Sequence, residues 1–284
     1  MTSPSGDRAP RVSVVIPAFQ NGAYIGETIR SVLAQTFTDF ELIVADHSST
    51  DDTLAVIESF DDPRITVLHT DAGGGAKRNW DRVSRAARGE LIKLLPGDDT
   101  IFPNCLAEQV AAFDAHPSAV LVASRRTLTD ARGETIAAAR GLGGLSGLVP
   151  GRDAARATVT AGSNIFGEPG CVLVRRDVLE KVGWWDDTQP FLIDEATYVR
   201  VALHGDVVAL PEPLASFRIN AGQWSVRLAR QQARQAADFH RGLRESDPTL
   251  VSANDVRIGD FKALVTSFLR RGVYLLYRKR LRTP

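Results

Sequence analysis

The chain has 284 residues, 44% hydrophobic and 24% charged, which is an ordinary globular composition. Its formal net charge is zero, so no global field draws it to nucleic acid or anionic lipid. No apolar run approaches the roughly 18 residues of a spanning helix. The two cysteines, Cys105 and Cys171, lack metal-type spacing and suit reduced thiols in the cytosol. Residues 1–10 are small and polar, without the apolar core of a signal peptide, and read as a flexible tail.

Val12 to Ile16 is a β-branched run ending at Pro17, a buried strand. Ile25, Ile29, Val32 and Leu33 then recur at helical spacing. Glu41 to Ala45 is a second strand, ending at Asp46. Ser49 and Asp52 are spaced as a capping box for a helix carrying Leu54, Ile57 and Phe60. Ile65 to His69 is a third strand. Gly73-Gly74-Gly75 breaks the chain before a helix with Trp80, Val83 and Ala87 on one side, and Leu91 to Leu95 is a fourth strand. Four strand–helix alternations predict a parallel α/β sheet with right-handed crossovers.

The second half is less regular. Leu106 to Phe113 reads as helix and Ala119 to Ala123 as strand. Residues 127–160, rich in Gly, Ala and Arg, show little pattern and are expected to be a mobile region near the site. Strands follow at Gly170 to Val174 and Val207 to Leu210, with helices at Val178 to Val182 and after Asp194-Glu195. Leu228 to Arg244 is helical by composition. The final segment sets Phe261, Leu264, Val265, Phe268 and Leu269 among Lys262, Arg270, Arg271, Arg278, Lys279, Arg280 and Arg282, with no acid after Asp260. Such a basic amphipathic end can lie on an anionic membrane or pack on the body or on a second subunit.

Loops after parallel strands gather at one edge, where ligands bind in open α/β sheets. Here they hold Phe19-Gln20-Asn21, Asp46-His47, Asp71 and Asp98-Asp99. Paired carboxylates suit a hard cation, and a hard cation suits a diphosphate; an acidic turn is the plain alternative. No loop is a dinucleotide fingerprint or a P-loop.

The ordered set Val12 to Phe19, Ser31 to Thr36, Asp46 with Ser48 to Asp51, Lys77-Arg78-Asn79, Asp98-Asp99, Arg175 to Gly183, Asp194 to Arg200 and Leu210 to Leu214 resembles the inverting family-2 glycosyltransferases of the GT-A fold. The resemblance runs from about Val12 to Asn220. It implies a GT-A type, mostly parallel central sheet flanked by helices, with a helical C-terminal extension. The implied division is a catalytic domain over 11–220, with a nucleotide-sugar half (11–115) and an acceptor half (116–220), followed by the extension over 221–284.

The resemblance implies a nucleoside diphosphate sugar donor and a divalent metal, Mn2+ or Mg2+. Asp99 is then the metal ligand and Asp98 the ribose-side partner. Pro17, Ala18, Phe19, Asp46, His47 and Arg78 are donor contacts. Asp194, six positions before Arg200, is the base, and Trp184, Trp185 and Glu195 are candidate acceptor contacts, the two tryptophans being equally candidates for a sugar or lipid platform and for the core. Three departures stand out: His47 replaces a common second acid, Pro96-Gly97 thins the carboxylates of the metal motif, and Ile193 replaces an acid before the base. The last predicts a drier setting that raises the carboxyl of Asp194.

The implied setting is cell-envelope polysaccharide, glycolipid or natural-product glycosylation on the cytoplasmic side. Nucleic acid is not an expected partner, and a homodimer stays open. Two competing readings are a sugar nucleotidyltransferase, which wants a Gly-rich phosphate loop after the first strand, and a non-catalytic nucleotide-sugar-binding scaffold.

Overall fold

A computed structural model describes residues 8–220, 231–277 and 280–281. Most of the expected tail, and residues 221–230 of the expected extension, lie outside the described residues.

The first half is β1 (Val12–Ala18), α1 (Ile25–Leu33), β2 (Phe40–Asp46), α2 (Thr53–Glu58), β3 (Ile65–His69), α3 (Gly75–Arg85) and β4 (Leu91–Leu94). These strands lie parallel in the order β3-β2-β1-β4, with Val12 beside both Phe40 and Leu91. β1, β2 and β4 are buried along their whole length, as continuous apolar runs covered on both faces should be. β3 is the edge strand and stays half-exposed.

The sheet is mixed beyond β4. After β5 (Thr100–Ile101) and α4 (Cys105–Ala115), the chain forms β6 (Ala119–Thr129), β7 (Thr135–Arg140), β8 (Gly147–Pro150), α5 (Gly151–Ala161), β9 (Val172–Arg175), α6 (Arg176–Lys181), α7 (Ile193–Ala202) and β10 (Asp206–Arg218). β9 enters antiparallel between β4 and β6, β10 runs parallel to β6, and β5 and β8 pair antiparallel with β10. Buried Lys93 braces the junction, its Nζ donating to the carbonyls of Gly170 (2.8 Å) and Val172 (3.1 Å).

The helices α8 (Gln232–Ser246) and α9 (Ala253–Leu276) follow. α9 packs against α5 at close range. A Cβ on Gly259 would collide with the Val159 carbonyl, and one on Gly162 with the Gly259 carbonyl. Arg156 pairs with Asp255 at 3.0 Å across the same contact.

Two sequence expectations change. Residues 127–160, which show little pattern in the sequence, hold regular structure: the end of β6, then β7, β8 and α5. α5 buries Ala154, Ala155, Thr158 and Val159, and its small side chains let α9 approach. The capping box does not form. Asp51 Oδ1 accepts the Thr53 N–H at 3.1 Å and its hydroxyl at 2.5 Å, while the Asp52 side chain makes no capping bond.

Asn79 sets the edge where the loops meet. Its Nδ2 donates to the carbonyls of Ala18 (3.2 Å) and Ala45 (2.9 Å), and its Oδ1 accepts the Thr70 hydroxyl (2.7 Å). One buried amide thereby joins the C-terminal ends of the first three strands. Asn79→Ala leaves buried carbonyls short of a donor and should cost roughly 1–3 kcal/mol. Urea unfolding of the full chain checks this, as a lower midpoint at unchanged slope.

Candidate active site

The loops after β1, β2, β3 and β4 open into a cleft of about 1620 Å³, whose far wall comes from β6, α7 and α9. That exceeds the roughly 300–1,000 Å³ of a single small-ligand pocket and gives room for two substrates. Pro17, Phe19, His47, Asp98, Asp194 and Glu195 all line it, so both clusters of sequence-predicted residues meet in one space.

At the first end, Phe19 is exposed and its ring stands 5.8 Å from that of His47. His47 Nε2 donates to the Gly73 carbonyl at 2.9 Å, which holds the ring in place beside Phe19. Asn21 side-chain oxygen accepts the Phe19 N–H at 2.9 Å and presses on Gly97, where an added Cβ would lie 2.5 Å from it. Close approach of the β1 and β4 loops is therefore a reason for Gly97 before the two acids. Ala18 is fully buried and contributes its carbonyl, which accepts the His47 N–H (3.0 Å). Asp46 is buried off the cleft wall; Oδ2 accepts the Ser49 N–H (3.1 Å), and Oδ1 has no hydrogen-bond partner. Arg78 stands at the rim, donating to Ala72 (3.2 Å) and facing Asp71 (3.4 Å), rather than on the cleft wall.

The two acids after β4 differ in access. Asp98 lines the cleft and accepts Asn220 Nδ2 at 2.8 Å. Asp99 is 1% exposed, and its Oδ1 accepts the Arg218 backbone N–H at 2.9 Å. Burial, then the neighbouring Asp98 charge, hold the Asp99 carboxyl well above the usual range. The expected division of labour, metal on Asp99 and ribose on Asp98, is thus not matched by access, since Asp98 is the carboxylate that faces the cleft.

Among the described residues no group of three or more His, Cys, Asp or Glu side chains forms a self-contained cation site. One or two carboxylates beside a diphosphate are nonetheless what magnesium-like ions use, with substrate oxygens completing the shell. The Asp98–Asp99 pair fits an ion that arrives with the diphosphate.

At the second end, Asp194 sits in the first turn of α7. Its Oδ2 accepts Asn164 Nδ2 at 3.0 Å and its Oδ1 the Glu195 N–H at 2.8 Å. No described cation pairs with it. Arg200 turns instead to Asp186 (3.3 Å) and the Val182 carbonyl. Arg126, on the cleft wall, pairs with Glu168. Burial raises the Asp194 carboxyl to about 6. Burial and the Asp194 charge raise Glu195 to about 8. At neutral pH the first is mostly ionised and the second mostly protonated.

Trp184 and Trp185 do not line the cleft. Trp184 is buried under Arg85, 5.2 Å from its ring, and Trp185 donates Nε1 to Ser84 Oγ at 2.8 Å. Both belong to the core, as large aromatics flanked by helices tend to. Among the described tryptophans, the one that lines the cleft is Trp80, held edge-on against Trp185 at 4.9 Å.

The sequence profile of glycosyl transferase family 2 matches residues 13–183, more than half of the chain. The chain belongs to glycosyl transferase family 2. It is 28% identical over 256 residues to the uncharacterized protein MT1568 of Mycobacterium tuberculosis, covering 87% of this chain and 79% of that protein. It is 34% identical over 118 residues to the poly(ribitol-phosphate) beta-N-acetylglucosaminyltransferase TarS of Staphylococcus aureus, covering 39% of this chain and 20% of TarS. The chain therefore spans only a fifth of TarS but most of MT1568.

Among solved structures, S. aureus TarS 1–349 in complex with UDP-GlcNAc superposes with a TM-score of 0.63 at 18% identity, over 81% of this chain and 66% of that one. The mannosyltransferase PcManGT of Pyrobaculum calidifontis, in complex with GDP-Man and Mn2+, gives 0.65 at 18% identity, over 96% and 77%. At that identity the likeness shows the fold, which is of the GT-A glycosyltransferase type.

Sequence reasoning passed over Arg218. Besides its N–H to Asp99, its Nε donates to the Asp98 carbonyl (2.9 Å) and its Nη2 to Glu27 (2.6 Å). The guanidinium lies 4.7 Å from the Tyr24 ring. Lysine lacks the fork that makes these contacts together. Arg218→Lys should cost roughly 1–3 kcal/mol, read as a lower urea midpoint, and weaken nucleotide binding measured by calorimetry.

Proposed function

We propose that this protein transfers a sugar from a nucleoside diphosphate sugar to an acceptor hydroxyl, with inversion at the anomeric carbon and assistance from a divalent cation. The observation that carries the reading is Asp194: a carboxylate with no described cation partner, raised toward neutrality, on the same cleft as Asp98.

An acceptor hydroxyl is a poor nucleophile at neutral pH. Asp194 takes its proton as the oxygen attacks the anomeric carbon. The bond to the diphosphate oxygen breaks on the opposite face, which inverts the centre. Glu195, protonated at neutral pH, leaves Asp194 as the ionised member of the pair. Asp98 and Asp99 would hold Mg2+ or Mn2+ together with the diphosphate, and the ion when bound would stabilise the charge of the leaving group. Phe19 and His47 offer a face and an edge to a nucleobase, and Asp46 Oδ1 is a buried acceptor without a protein partner. Arg78 at the rim is placed to meet the donor from outside the wall.

The ligands named for TarS and PcManGT support a nucleotide-sugar donor. Residues 11–115 form the donor half and 116–220 the base and acceptor half, with 221–284 an appended segment. The reading suits cell-envelope polysaccharide, glycolipid or natural-product glycosylation.

Asp194→Asn should lower transfer about 10²–10⁴-fold. It should also abolish an acid limb near pH 6 in kcat/KM, since the base is lost as pH falls through its folded value. Stability moves the other way. A carboxyl raised by folding binds its proton more tightly in the native state, so its stabilising contribution, full at low pH, is lost as pH rises from about 4 to about 6. Above pH 6 the variant should therefore be more stable than wild type, by roughly 1–3 kcal/mol. Binding of donor nucleotide without transfer or hydrolysis by the wild type, across acceptors, would instead favour a non-catalytic scaffold.

A further inference from the structure

Six of the eight large hydrophobics that stand exposed among the described residues lie on α9: Ile258, Phe261, Leu264, Val265, Phe268 and Leu269. They recur three and four apart and form one outward stripe. Phe261, Phe268 and Leu269 are 68, 60 and 65% exposed. The stripe is held in place from behind. Gly259, Ala263 and Ser267 are buried on the inner face, and Asp260 accepts from His240 Nδ1 at 2.8 Å. A fixed apolar stripe of this extent marks an interaction surface.

Charge decides what covers it. Arg257 and Lys262 are exposed beside the stripe, and the Arg271 guanidinium lies 5.2 Å from the Phe268 ring. The acids of the helix, Asp255 and Asp260, are paired with Arg156 and His240. No acid of α9 is left to answer the cations, and the sequence after it adds Arg278, Lys279 and Arg282, while Arg280 is paired with Asp130 at 2.6 Å. A two-fold contact with a second copy would repeat the same uncompensated cations on both sides. An anionic lipid surface answers them, and its acyl boundary takes the apolar side chains.

We propose that the outward face of α9 docks on an anionic bilayer. No helix among the described residues is long and apolar enough to cross one, so the contact is peripheral. Ala263, Thr266, Leu269, Arg270 and Tyr274 of the same helix line the cleft, so its mouth opens beside the docking face. Resting on the transferase reading, this makes the acceptor a lipid-linked saccharide or lipid whose head group enters from the membrane side.

The test is co-sedimentation of the full chain with phosphatidylglycerol-containing and pure phosphatidylcholine vesicles, with sedimentation equilibrium run alongside. Wild type should bind the anionic vesicles and not the neutral ones, and lose binding in high salt. The double variant Phe261→Ser, Phe268→Ser should bind at least tenfold more weakly. Arg257→Gln and Lys262→Gln should each lose about fivefold. All should keep the wild-type melting temperature and nucleotide binding, so a fold defect or a failed donor site is told apart from lost docking. Absence of vesicle binding by wild type overturns the proposal, as does a dimer that the phenylalanine variant dissociates. Equal binding by the variants overturns it too.

Discussion

Everything at the cleft depends on a buried arginine that closes the fold across its two halves. Arg218 ends β10, 120 positions from Asp98, yet its backbone and side chain hold both acids of the β4 turn and reach Glu27 on α1. The desolvation cost of burying that guanidinium is offset only because several acceptors surround it. The acidic turn is thus positioned by the last strand of the sheet rather than by its own loop. Asn79 does the corresponding work on the other side, joining the ends of three parallel strands with one amide.

Two pairs of adjacent acids lie on opposite sides of this scaffold, and in each pair one member is more deeply buried than the other. Asp98 reaches the cleft while Asp99 is withdrawn. Asp194 is partly open while Glu195 is 2% exposed. Neighbouring carboxyls that share a low-dielectric wall cannot both ionise freely, so their proton affinities separate. Burial raises the Asp194 carboxyl to about 6, and burial with the Asp194 charge raises Glu195 to about 8. At the β4 turn the Arg218 backbone N–H and guanidinium, with Asn220, answer the Asp98–Asp99 pair.

Much of this was legible in the sequence because it is local. Continuous β-branched runs ending at Pro17, Asp46 and His69 are strands by pattern alone, and the parallel order follows from their alternation with helices. The acids Asp98 and Asp194 carry recognisable spacing. What the sequence hid was set by contacts distant along the chain. The helix α5 has Ala, Thr and Gly where a large apolar stripe would announce it, since it packs by close approach to α9. For Trp184 and Trp185 the local sequence leaves platform and core equally open, and it is the neighbouring α3 that supplies Ser84, Arg85 and Trp80 to enclose them. Access of Asp98 over Asp99 depends on Arg218 and Asn220, which no local motif announces. The outward stripe of α9 was visible as a pattern, but only the packed inner face shows which side remains open.

The measurement that bears most directly on the account is binding of nucleoside diphosphates, with and without Mn2+, to wild type and to Asp98→Asn. Thermal shift across UDP, dTDP, GDP and CDP suffices. A ligand at 100 times its dissociation constant adds about 2.7 kcal/mol, or roughly 5–10 °C for a chain of this size. The account predicts a Mn2+-dependent shift with at least one nucleotide that disappears in the variant. Failure of every nucleotide to shift the wild type, or an undiminished metal-dependent shift in Asp98→Asn, would contradict it.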